Sequence, residues 1–280
     1  MKKVAAIHDL SCFGRGSLTT VIPILSGMGV QVCPLPTTLL STHTGGFENF
    51  SFLDLTDNMQ QVMNHWKKLG LTFDGIYTGF LGCPEQIDLV GRFITEFKRE
   101  DALICIDPVM GDNGRMYEVY DGQMAEGMRR VIKYANVITP NLTEACLLAK
   151  MEYEPHPTKE TLMDIAKALF DLGPSHIVIT GIERGHQMDT IIFENGWVNT
   201  PLCISSCRIV GDYPGTGDLF ASVMVGEMTK GSSLLEAVRK GVYFTVETMK
   251  QTVFNKVPPR EGLAFEECFS RLIKEEDKTL

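Results

Sequence analysis

Short apolar runs alternate along this chain with longer stretches in which apolar residues recur every three or four positions. The short runs, residues 4–8, 30–34, 75–77, 103–107, 137–139 and 177–180, predict strands. The stretches between them, 18–28, 56–69, 85–98, 123–133, 143–149 and 159–172, predict amphipathic helices. Strands that are apolar on successive residues bury both faces, so the alternation points to a parallel sheet covered on both sides by helices. Residues 188–209 break the rhythm. Two strand-like runs there flank Asn195-Gly196, a dipeptide that accepts the positive φ angles of a hairpin turn. Helical runs over 218–229 and 233–249 follow. Glycine and proline fall at junctions, and no linker, repeat or low-complexity stretch intervenes. The pattern therefore predicts one α/β domain over residues 1–280, a sandwich with a mostly parallel central sheet between layers of helix, ending in a solvated charged tail at 274–278.

Composition narrows the class. With 280 residues, 44% hydrophobic and 22% charged, the chain can bury a large core and is not a disordered sequence. A net charge of −9 gives no nucleic-acid footprint, so no nucleic-acid partner is expected. An anionic substrate would have to be held by backbone N–H groups and metal ions, not by a positive surface. The eight cysteines contain no Cys-x-x-Cys pair and read as small buried hydrophobes in a reducing compartment, with neither a disulfide framework nor a zinc site. No apolar stretch approaches membrane-spanning length, and the first residues lead straight into a strand. A cytoplasmic protein without a membrane partner is the expectation.

In parallel α/β sheets ligands lie beyond the carboxyl ends of the strands. Asp9, Thr78-Gly79-Phe80, Asp107, Asn141 and Thr180-Gly181 all fall at such ends. The most informative segment is Gly215-Thr216-Gly217-Asp218, which opens an apolar helical run. Glycines let successive N–H groups point outward, and the unpaired N–H groups of a helix start make an anion seat. A carboxylate beside such a seat suits a group that takes a proton from an attacking hydroxyl. The plainer reading is an ordinary first-turn aspartate. Asp107 and Asp112 bracket a turn and could hold Mg²⁺, or simply form loop chemistry. Asn141 and Glu144 have the spacing of a capping box, with a metal or phosphate role as the alternative. Ser41-Thr42-His43-Thr44-Gly45-Gly46 is a bendable polar segment in which His43 is either a base or a structural group. There is no P-loop, and Gly14-Arg15-Gly16-Ser17 does not complete a Rossmann fingerprint.

In this order the segments resemble the ribokinase superfamily and, within it, the vitamin B6 (pyridoxal, pyridoxamine, pyridoxine) kinases. The likeness runs from residue 7 to about residue 248. It is carried by Gly215-Thr216-Gly217-Asp218, by Ser41-Thr42-His43-Thr44-Gly45, and by Gly79-Phe80-Leu81-Gly82. Asp107-Pro108-Val109-Met110-Gly111-Asp112, Gly114-Arg115-Met116-Tyr117 and Thr139-Pro140-Asn141-Leu142-Thr143-Glu144 complete it. The resemblance implies a ribokinase-like three-layer sandwich and ATP-dependent phosphorylation of the vitamer's 5′-hydroxymethyl group. It assigns Asp218 as base and the N–H groups of Gly215, Thr216 and Gly217 as the anion seat. Asp107, Asp112 and Glu144 would organise Mg²⁺, and Asp112, Asn141, Thr180 and the flap residue Tyr117 would meet the nucleotide. Asp9, His43, Thr44 and Phe80 would surround the ring. A monovalent cation such as K⁺ and a homodimer are further implications. Two departures stand out, Asp9 where the family commonly has a ring-contacting serine, and Phe80 where it commonly has tyrosine. A carboxylate facing the ring at Asp9 would favour pyridoxamine over pyridoxal, unless Asp9 turns away and caps the following turn. A hydroxymethylpyrimidine or sugar kinase of the same superfamily is the alternative, and a catalytically silent binding protein a third. Retention of Asp218, both glycines, Asp107 and Glu144 disfavours the last.

Overall fold

The apolar runs assemble into an eight-stranded sheet in the computed structural model, which describes residues 1–117 and 120–273. Its strands are β1 (Lys3–Ile7), β2 (Gln31–Pro34), β3 (Phe73–Thr78), β4 (Lys98–Ile106), β5 (Val137–Ile138), β6 (His176–Arg184), β7 (Gln187–Glu194) and β8 (Trp197–Cys207). They lie in the order β8-β7-β6-β5-β4-β3-β1-β2. All pairs from β2 across to β6 are parallel, and β7 and β8 are added antiparallel.

Successive strand residues point to opposite faces, and here both faces are dry. Ala5 and Ile7 of β1 pack into one core, Val4 and Ala6 into the other. The first core receives α2 (Thr56–Lys68), α3 (Pro84–Phe97), α4 (Gly122–Val131), α5 (Leu142–Ala149) and α6 (Lys159–Phe170). The second receives α1 (Leu18–Gly27), α7 (Thr216–Lys230) and α8 (Leu234–Phe254). A short α9 (Phe269–Ile273) closes over α1. This is the three-layer sandwich that the alternation predicts. The run Leu219 to Gly226 is buried throughout because α7 is covered by α1, α8 and the sheet.

Several boundaries differ from the sequence reading. β4 begins at Lys98, whose charged start pairs with Phe73 at the sheet's polar rim. β6 does not end at Thr180. It runs on to Arg184 with a register break between Ile179 and Ile182, where Gly181 takes φ 73°, and turns into β7 through Gly185. Two small sheets escape periodicity because their strands have only two or three residues. Leu10–Ser11, Thr38–Leu40 and Phe52–Asp54 form one beyond the carboxyl ends of β1 and β2. Gly111–Asp112 and Arg115–Met116 form the other beyond β4. All eight cysteines are free, yet Cys12, Cys203 and Cys207 are exposed, which corrects their reading as buried hydrophobes. The latter two sit on the edge strand β8, whose residues are exposed or only half-buried throughout. The tail at 274–278 lies outside the described residues. Among those residues no helix is long and apolar enough to cross a membrane.

Candidate active site

The start of α7 is built by glycine. Gly215 has φ 82°, and a Cβ there would stand 2.2 Å from the Arg15 carbonyl oxygen, so no other residue fits this approach. Thr216 Oγ1 donates to the Tyr213 carbonyl at 2.6 Å, which turns its side chain back under the loop. No side chain caps the helix, so its first-turn N–H groups lack intrahelical partners. A Cβ on Gly217 would lie 3.9 Å from Asp107 Oδ2, which puts the end of β4 directly against this helix start.

Asp218 follows in the first turn with a side chain 15% exposed. Its Oδ2 accepts the Ser17 N–H at 2.7 Å, and its Oδ1 lies 3.8 Å from His8 Nδ1. Burial pushes the His8 imidazole down to about 3, so it is neutral and the two form no ion pair. Burial pushes the Asp218 carboxyl up to about 7, against the pull of the Ser17 N–H, and the charge of Asp9 adds to the rise. Asp107, 6% exposed, is pushed up to about 8 by burial and then by the charge of Asp218. Glu144 is raised well above the usual carboxylate range by burial and by Asp107. Burial thus raises three acids linked in series, Asp218 acting on Asp107 and Asp107 on Glu144.

Asn141 and Glu144 form the capping box that their spacing suggests. Asn141 Oδ1 accepts the Glu144 N–H at 2.9 Å, and Glu144 Oε2 accepts the Asn141 N–H at 2.8 Å. The pair also reaches the loop after β4, since Glu144 Oε1 accepts the Met110 N–H at 3.0 Å and Asn141 Nδ2 donates to the Gly111 carbonyl at 2.8 Å. Thr180 stands beside Asn141 in a parallel bridge, where the N–H of Thr180 donates to the Pro140 carbonyl. Asp112 is exposed, and its carboxylate accepts from the Asn113 N–H at 2.8 Å in a turn with Asn113 and Gly114 at φ 49° and 76°. Tyr117 is half-exposed, and its phenol is raised by burial and then by the charges of Glu144, Asp112 and Asp107.

The residues expected around a ring are distributed less simply. Phe80 is buried, edge-on to Tyr120 at 5.6 Å, and its carbonyl accepts Thr37 Oγ1 at 3.0 Å. His43 Nδ1 accepts the Gly45 N–H at 3.1 Å, which leaves Nε2 to donate to the Arg260 carbonyl at 2.7 Å. Its ring packs on Phe47 and against Gly14, so it fastens three loops together, and Thr44 beside it is exposed. Asp9, 4% exposed, accepts Ser11 Oγ at 2.9 Å on one oxygen and Ser17 Oγ on the other. Burial raises its carboxyl, and the two hydroxyls oppose that rise. Sequence reasoning missed Ser17 and Tyr120. A hydroxyl immediately before an apolar helical run was the available signal for the first; an aromatic in a short loop gave none for the second. Among the described residues no three His, Cys, Asp or Glu side chains form a closed metal cluster.

A family model described as phosphomethylpyrimidine kinase matches residues 22–258. A putative phosphomethylpyrimidine kinase from Bacteroides thetaiotaomicron, crystallised with pyridoxal, is 44% identical with a TM-score of 0.92 over 97% of this chain and 95% of that one. Pyridoxal kinase from Lactobacillus plantarum is 29% identical with a TM-score of 0.91 over 98% and 97%. A pyridoxal kinase from Rubrobacter xylanophilus is 26% identical over 84% of this chain and 82% of its own. The chain belongs to the phosphomethylpyrimidine kinase family and takes its place there among the vitamin B6 kinases of the ribokinase superfamily.

Proposed function

We propose that this kinase uses ATP to phosphorylate the 5′-hydroxymethyl group of pyridoxal, pyridoxamine or pyridoxine, with Asp218 as the base. The observation that carries the assignment is the Asp218 carboxylate, raised to about 7 by burial and seated at the uncapped start of α7. A base of that affinity ionises near neutral pH and can still take a proton. The vitamer hydroxyl oxygen forms a bond to the γ-phosphorus while the bond to the departing ADP oxygen breaks, and the hydroxyl proton passes to Asp218. The N–H groups of Gly215, Thr216 and Gly217 stabilise charge on the transferring group. In such a loose transition state, positioning and charge stabilisation do most of the work. Asn141, Thr180, Asp112 and Tyr117 line the side where the nucleotide phosphates bind. Phe80, Tyr120 and the His43–Thr44 loop lie on the side of the ring.

The donor set suits Mg²⁺. Asp107 and Glu144 are buried acids whose proton affinities are raised by burial and then by the charge of Asp218 on Asp107 and of Asp107 on Glu144, and a divalent cation offsets that repulsion. Asp107 is the direct candidate. Glu144 acts through the loop it clamps, and Asp112 stands at the rim. The ion supplies charge neutralisation of the phosphates, with one or two carboxylates being the usual protein share. A monovalent cation such as K⁺, a homodimer and a cytoplasmic setting complete the proposal.

The family model's own description favours one second reading, with hydroxymethylpyrimidine as acceptor. An ATP-consumption assay with the three vitamers, hydroxymethylpyrimidine and ribose separates the two. Turnover of a vitamer with Mg²⁺ present is expected, and turnover of the pyrimidine alone overturns the assignment.

A further inference from the structure

Ser17 donates its N–H to Asp218 across 201 positions of sequence from a backbone that side chains rarely adopt, φ 48° and ψ −134°. It stands immediately before α1, where a serine hydroxyl ordinarily accepts an N–H from the helix's first turn. Here it makes no such cap. Its hydroxyl instead donates to Asp9 Oδ1, while the Asp9 carbonyl accepts the Leu18 N–H at 3.1 Å. The other Asp9 oxygen is taken by Ser11 Oγ. Each oxygen of this buried carboxylate thus accepts a serine hydroxyl, which ties the side chain to the chain around it. Such a backbone conformation persists only where its surroundings over-determine it, and Asp9 holds Ser17 through its side chain and the next residue, Leu18, through its main chain.

We propose that Asp9 is a positioning residue for the base. By holding the Ser17 hydroxyl it fixes the left-handed backbone there, which aims the Ser17 N–H at Asp218 Oδ2 and leaves Oδ1 to face the acceptor hydroxyl. The inference rests on the reading of Asp218 as the base. It also separates Asp9 from vitamer choice, contrary to the expectation raised by its departure from the family serine.

Steady-state kinetics with ATP and both pyridoxal and pyridoxamine test it. Asp9→Ala should lower kcat by about 10- to 100-fold, the scale of a small misplacement at a reacting centre. KM for ATP and for each vitamer should stay within about twofold, since misalignment of the base leaves ground-state binding alone. Asp9→Asn, whose amide oxygen still accepts the Ser17 hydroxyl, should recover most of kcat. Ser17→Gly adopts the conformation without an anchor, so adding Asp9→Ala to it should cost nothing further. Ser17→Ala keeps the Cβ and loses the anchor, and should fall well below Ser17→Gly even if Asp9→Ala does not fold. A changed pyridoxamine-to-pyridoxal ratio, additive losses in the Ser17→Gly background, or a lower melting temperature with kcat intact would each overturn the proposal. If the wild type turns over no vitamer, the kinase reading itself fails. Amide exchange of the free protein then still decides the Asp9–Ser17 link, with Ser17 N–H exchange expected to accelerate in Asp9→Ala and an unaltered rate counting against it.

Discussion

Replacing Asp218 by asparagine removes a charge while keeping the shape and the acceptor for the Ser17 N–H, and it should stabilise the protein while silencing it. The carboxyl moves from an ordinary 3.8 to about 7 on folding, which at about 1.4 kcal/mol for each tenfold change in proton affinity is ~4 kcal/mol. The sign follows from linkage. Below the unfolded value both states are protonated and no penalty exists; as pH rises toward the folded value only the unfolded chain ionises, and stability is lost. Above about pH 7 the loss is complete. Asp218→Asn should therefore match the wild type near pH 4 and exceed it by ~4 kcal/mol at pH 8, or roughly 8 °C in Tm at about 2 °C per kcal/mol for a chain of this size. Thermal unfolding with a chelator present, across that pH range, reads the difference directly. Phosphoryl transfer should fall by about 10²- to 10⁴-fold at the same time. Added Mg²⁺ and nucleotide should narrow the stability gap by offsetting the wild-type charge. A gap that is absent at pH 8, or equal at both pH values, would refute the claim that a buried, repelled carboxylate is held there for chemistry.

Glu144→Ala should lower unfolding free energy by ~2–5 kcal/mol in urea, because it orphans the Asn141 and Met110 N–H groups together. It should also raise the Mg²⁺ requirement, and a loss below ~1 kcal/mol with metal dependence intact would reduce Glu144 to a simple cap. Gly215→Ala forces a Cβ to within 2.2 Å of the Arg15 carbonyl at φ 82°, and should lose most of kcat together with ~1–3 kcal/mol of stability. Near-normal turnover in that variant would show that the anion seat does not depend on this glycine. At the opposite end of the sheet, burial raises the Asp74 carboxyl, but the Lys3 N–H, Lys2 and Arg99 outweigh it and leave it lowered. Its stabilisation is present above the ordinary carboxylate range and lost as pH falls through the lowered value. Asp74→Asn should therefore reduce the unfolding free energy at pH 7, by no more than ~1 kcal/mol given its exposed partners, with the gap closing in acid. A gap that widens in acid would contradict the assigned direction.

The hydrophobic pattern by itself determined the architecture. A strand buried on both faces must be apolar at successive residues, as β1 is from Val4 to Ile7, and a sheet between two helical layers accommodates that. Gly215-Thr216-Gly217-Asp218 was equally legible, because glycine and a first-turn acid have local causes that need no distant partner. So was the Asn141–Glu144 box, although sequence left it open between cap and ligand. The tertiary structure shows the cap and adds a clamp on the loop after β4. What no local pattern could supply was the meeting of residues far apart in the chain. The two- and three-residue strands carry no period to read. His43 was open between a base and a structural group, and the fold ties it to the Arg260 carbonyl. Asp9 was open between a ring contact and a turn cap, and only the fold brings the Ser17 hydroxyl to it beside that of Ser11. The raised affinities of Asp107, Asp218 and Glu144 come from burial and from the charges of Asp218, Asp9 and Asp107 respectively, which act only once the ends of β1 and β4 meet α5 and α7. Electrostatic fields and hydrogen bonds act through space, and only the folded chain decides which groups share that space.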